Sequence, residues 1–143
     1  MTRRILLISV ALALAACSHR SRTIDRDDAA KLLLDRNWID VMPQSKTDRL
    51  HVFRFVPSMG GGVFQDRTIF KGEFELFKFK VDDDHIDFKF PEDGTKIRSQ
   101  YTIEDVDGPE PFDLKLTIYA SPRGPNVYYG MRRETKDVLF LEQ

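Results

Sequence analysis

From Leu50 to the C-terminus, apolar and polar residues alternate with a period of two, in segments whose connections are too short for a crossover helix. Leu50–Val56 is rich in β-formers and stops at Pro57, and Val63–Lys71 follows the Gly60-Gly61-Gly62 turn. Ile86, Phe88 and Phe90 alternate with Asp87 and Lys89, and Ile97, Tyr101 and Ile103 mark a further strand. Phe112, Leu114, Leu116 and Ile118 alternate with Asp113, Lys115 and Thr117, so both of these apolar faces are expected to point inward. Val127–Arg132 and Val138–Leu141 follow. Between Val63–Lys71 and Ile86–Phe90 lies 74–81, where Phe74 and Leu76 hold one phase and Phe77, Phe79 and Val81 the other, which predicts a bulge or bend near 76–77. With that segment the strands number eight. Joined this way, neighbours must run antiparallel. The fold expected is mainly β: an eight-stranded meander closing as an up-and-down barrel or a strongly curled sheet, with a β-sandwich as the alternative.

A short helix should precede the strands. In residues 24–36, Asp25 is placed to cap, and Asp27 and Asp28 fall in the first turn, where the helix dipole favours acids. Ala29 and Leu33, with Leu32 or Leu34, form one apolar face, and the helix should be over by Asn37.

At 143 residues the chain suits one domain, and 41% hydrophobic residues, including 11 Phe, suffice for a core. The formal charge of −1 argues against nucleic acid as a partner, where a basic balance is expected. There is one cysteine, Cys17, so no intramolecular disulfide can form.

That cysteine closes a distinctive N-terminus. Arg3 and Arg4 precede Ile5–Ala16, an almost wholly apolar run that as a helix would rise about 18 Å, too short to cross a bilayer. It reads as a signal-peptide core. Leu14-Ala15-Ala16-Cys17 resembles the lipobox of bacterial lipoproteins. The resemblance implies cleavage between Ala16 and Cys17, removal of residues 1–16, and a thioether-linked diacylglycerol on Cys17, with palmitate or a similar acyl group on the new amine. It also implies attachment to a membrane, with residues 17–23 as lipidated cysteine and tether. Losing Arg3 and Arg4 would leave 20 basic and 23 acidic residues, a charge of −3. Ser18 stands where the family's inner-membrane retention signal is usually Asp, so the implied address is the outer membrane, facing the periplasm. The Arg pair also loosely resembles a twin-arginine signal, but such pairs are ordinary and Sec export is the simpler expectation.

A second resemblance covers residues 37–143. Trp38 ahead of the strands and Arg132 late in the chain are similar to the pair that meets at the closed end of small lipocalin-like (calycin) barrels. The usual Gly two places before the Trp is replaced by Arg36. That family implies either a small apolar ligand held in the barrel or contacts with other proteins.

Other features carry less chemistry. Asp82, Asp84 and His85 are the candidate ligands for a cation, yet the spacing fits no EF-hand, and a run of aspartates between strands reads as a solvated hairpin tip. A second acidic connection, Glu104–Glu110, should share an end of the barrel with it. Met59-Gly60-Gly61-Gly62 lacks the Lys and following helix of a phosphate cradle and reads as a hairpin loop. His51 reads as a sheet residue, and no nucleophile elbow occurs. The Phe series is expected to fill the core, with a ligand cavity as the alternative. The function expected is therefore that of a non-catalytic, cofactor-free envelope lipoprotein whose partner is another envelope protein or, alternatively, a small apolar ligand.

Overall fold

The computed structural model describes residues 21–133. Ala16, Cys17 and His19, and the strand expected at 138–141 with Phe140, lie outside them.

The described residues hold one α-helix, a short 3-10 helix (Pro57–Met59) and nine strands: β1 (Arg22–Thr23), α1 (Arg26–Leu33), β2 (Asn37–Ile39), β3 (Leu50–Val56), β4 (Gly61–Arg67), β5 (Gly72–Asp82), β6 (His85–Phe90), β7 (Thr95–Asp105), β8 (Leu114–Ile118) and β9 (Val127–Gly130). The Asp25 carboxylate accepts the Asp27 N–H at 3.3 Å, and Leu34 leaves the helix in an extended conformation. Ala29 and Leu33 are its buried face.

Each strand from β2 to β9 pairs antiparallel with the next, and β9 returns to β2 through Ile39 and Tyr129. The result is an eight-stranded up-and-down barrel rather than a sandwich. The eight members are not the eight expected: the first is the three-residue β2 around Trp38, too short for a period of two to register. β5 and β7 each change partner midway. Residues 72–77 bond to β4 and 78–82 to β6; residues 95–100 bond to β6 and 101–105 to β8. Where β6 runs out, β1 takes the same edge of β7, pairing Arg22 with Asp105 and Thr23 with Glu104.

Of the bulge or bend expected near 76–77, no bulge is present. The β4–β5 register is continuous from Gly62–Phe77 to Arg67–Gly72, and β5–β6 continues it from Lys78. One inward phase runs through Glu75, Phe77, Phe79 and Val81. Phe74 and Leu76 are simply on the outside, 70% and 58% exposed. Both faces of this strand carry apolar residues, so alternation alone misread a change of side as a change of backbone.

Inside, Phe53, Phe55, Phe77 and Phe88 form a continuous ring stack with Phe64, Phe90 and Tyr128, centroids 4.9–6.1 Å apart. Such pairs contribute about 0.5–1.5 kcal/mol each beyond burial. Two inward-facing glycines make room. A Cβ on Gly62 would lie 2.4 Å from the Phe77 ring, and one on Gly130 would lie 2.9 Å from the Trp38 ring. Ile86, Phe88, Phe90, Leu114, Leu116 and Ile118 point inward as expected. Phe112 does not: it precedes β8 and joins a second cluster on the outer side of the barrel with Ile39, Leu50 and Val52, its ring stacked on Tyr129.

Candidate functional site

The alternation of strand directions sorts the connections into two ends. At one end lie α1, the Pro57–Gly60 turn, the Asp83-Asp84 turn and the 106–113 connection. Trp38 is fully buried beneath α1, and its indole N–H donates to the Leu33 carbonyl at 3.0 Å. Arg132 stands at the same end, in an ion pair with Asp105, and its backbone N–H reaches Asp113. The ring of Trp38 packs on Gly130, and Arg36, from the position where the lipocalin-like pattern has Gly, donates to the Met131 carbonyl at 2.6 Å.

The two acidic connections do share this end, but Asp82, Asp84, Glu104 and Asp105 are held by partners. Asp82 binds Arg98 at 3.2 Å; Asp84 binds His85 Nδ1 at 2.7 Å, with Arg26 at 3.7 Å. Asp83 takes a left-handed φ of 49° at the tip of a two-residue turn, a conformation Asp tolerates. Glu104 faces Lys115. No group of three His, Cys, Asp or Glu side chains converges as a metal site among the described residues. The turn at Met59 ends in Gly60 at φ 78°, and its amides lead directly into β4 rather than into a helix.

The opposite end holds a polar cluster that the sequence reading missed. His51, Asp66 and Glu75 sit on the inward phase of β3, β4 and β5 near the rim. His51 Nδ1 lies 2.7 Å from Asp40, its Nε2 is 3.8 Å from Asp66, and its ring stacks on Phe64. Arg49 binds Asp66 and holds its carboxyl below the usual carboxylate range. Beside it, Arg123 from the 119–126 connection grips Glu75 through two parallel hydrogen bonds of 2.7 and 2.9 Å. It also binds Asp93 at 2.7 Å and lies 4.2 Å from the Phe90 ring centroid. The Glu75 carboxylate raises the guanidinium further above its ordinary value. A planar fork matched to a carboxylate and stacked on a ring is the strongest use of arginine.

This arrangement ties strands and connections together at the rim. Both His51 nitrogens face carboxylates, and Arg123 draws its loop across the rim above Phe90. A cleft of about 850 Å³ at this end is lined by Phe64, Asp66, Glu75, Asp93 and Arg123 among others. The cluster joins residues far apart in sequence, so no local motif could announce it. One signal was present: Glu75 shares the inward phase of Phe77 and Phe79, legible only once the strand is known to be unbroken.

The chain was compared with models of protein families, with curated proteins and with solved structures, and none of the three comparisons found a match.

Proposed function

We propose that this chain is a lipid-anchored lipoprotein of the bacterial cell envelope whose lipocalin-like barrel works as a non-catalytic interaction or scaffold module. The observation that carries the second half is the filled interior: Trp38, Tyr128, Phe53, Phe55, Phe77 and Phe90 are all under 2% exposed. An eight-stranded barrel has room for side chains or for one small ligand, and here the side chains take it. Arg123 lies over Phe90 at one end, and Trp38 is hydrogen-bonded to Leu33 of α1 at the other. The first half rests on Leu14-Ala15-Ala16-Cys17 and the apolar run before it. Two or three acyl chains, at about 0.8 kcal/mol per buried methylene, would anchor it stably, and Ser18 favours the outer membrane.

Cys17→Ser tests the anchor. Labelling with radioactive palmitate should vanish, and the protein should persist as precursor or leave the detergent phase; a variant partitioning like wild type would end the lipoprotein reading. Titration with an apolar fluorescent probe tests the module. Wild type should show no saturable binding, whereas tight binding weakened by Leu116→Ala would make the barrel a carrier.

A further inference from the structure

The outer wall of β5, β6 and β7 is unlike the rest of the surface. The register sets Lys78, Lys89 and Lys96 directly beside one another across three strands, and the next row is Lys80, Asp87 and Arg98. Five basic residues and one acid occupy these six positions, a local charge of +4 in a chain whose formal total is −1. Arg98 is engaged by Asp82 and Asp87, while Lys78, Lys80, Lys89 and Lys96 are exposed and make no ion pair among the described residues. Like charges directly opposite one another destabilise a sheet. Lysines also protect free strand edges, which accounts for Lys78 and Lys80, but Lys89 lies on β6, bonded on both sides.

The same outward row of β5 continues from the lysines into Leu76 and Phe74. Val63 is the cross-strand neighbour of Leu76, and Met59 at the adjoining turn is 80% exposed. An exposed apolar strip beside uncompensated lysines is the surface of a protein that lies on an interface. The root of the tether is in this wall as well: β1 occupies the edge of β7 on the β6 side. Arg22 stands only five positions after Cys17, a reach of at most about 17 Å.

We propose that this wall docks on an anionic lipid surface, with Lys78, Lys80, Lys89 and Lys96 on headgroup phosphates and Phe74 and Leu76 at the headgroup–acyl boundary. The proposal rests on the anchored reading for the nearness of a membrane. The lysines and the apolar strip are independent of it.

The test uses the full chain carrying Cys17→Ser, floated with vesicles of phosphatidylcholine alone or with about one-third phosphatidylglycerol, at low and high salt. The apolar leader is common to every variant, so only composition and salt dependence are compared. Wild type should prefer the anionic vesicles and lose that preference at high salt. K78Q/K89Q/K96Q should lower anionic partition about a hundredfold, at roughly fivefold per lysine. K31Q/K46Q/K115Q, from other faces, should change it much less, and F74S/L76S should weaken binding while leaving its salt dependence. Equal partition of wild type onto both vesicles, an equal loss in the control triple, or binding of the wall to an acidic protein in place of vesicles would overturn the proposal. Because the lipid-free chain is used, failure of Cys17 labelling and failure of headgroup preference are separate results.

Discussion

On β5, Phe77 is 2% exposed and Leu76, its neighbour, 58%. The inward row continues with Phe79 and Val81 into the ring stack, whereas the outward row runs Phe74, Leu76, Lys78, Lys80 into solvent. Composition barely separates the two faces at their aromatic end. What separates them is the hydrogen-bond register to β4 and β6, which has no break. Apolar character on a strand therefore reports burial only when the opposite face is polar; where both are apolar, the register decides which is buried.

The sharpest way to break this contrast is to truncate each face in turn. Phe77→Ala should cost about 3–5 kcal/mol in urea unfolding, through lost burial and a cavity. Leu76→Ser should stay within about 0.5 kcal/mol, as exposed substitutions do. Similar costs at both sites would mean that the outer strip is covered in the free protein.

A smaller effect should come from filling the interior. In Gly62→Ala the new Cβ would meet the Arg54 carbonyl oxygen at 2.6 Å as well as the Phe77 ring. The backbone oxygen cannot rotate away, so a cost of about 1–3 kcal/mol is expected by the same measurement.

Tyr101 sharpens the contrast most gently. It faces the interior, 2% exposed, and its hydroxyl has no hydrogen-bond partner among the described residues. Tyr101→Phe should be neutral or raise stability by about 1 kcal/mol. Burial pushes this hydroxyl up to about 12. Below pH ~10 both folded and unfolded chains hold the proton; between there and 12 only the folded chain does, so stability falls with rising pH by about 2–3 kcal/mol in all. In Tyr101→Phe that alkaline loss should become shallower. It will not vanish, because burial also raises Tyr128.

Much of the fold was legible because its signals are local. Asp25 caps as its position before Asp27 and Asp28 suggests, and the Ile86 and Leu114 faces point inward because polar residues alternate with them without interruption. Asp82–His85 forms a hairpin tip. Local signals failed where tertiary context decides. β2 is held by its partners β3 and β9 and by Trp38, not by any pattern of its own. Phe112 keeps the phase of Leu114 in sequence, but the chain has not yet entered β8 there. The rim cluster of Asp40, His51, Asp66, Glu75, Asp93 and Arg123 comes together only when the barrel closes, so no spacing encodes it.

The closure of the ring has a kinetic consequence. β3 and β4 share seven paired positions, whereas β2 and β9 meet at one, Ile39 with Tyr129. These are the first and last strands of the ring, so their contact closes the longest loop and forms late in folding. Side chains hold what the backbone scarcely does: Trp38 against Gly130 inside, and Ile39 and Val52 with Phe112 and Tyr129 outside. The outer cluster around Phe112 is then a clasp on the seam, while the ring stack joins the remaining strands from within.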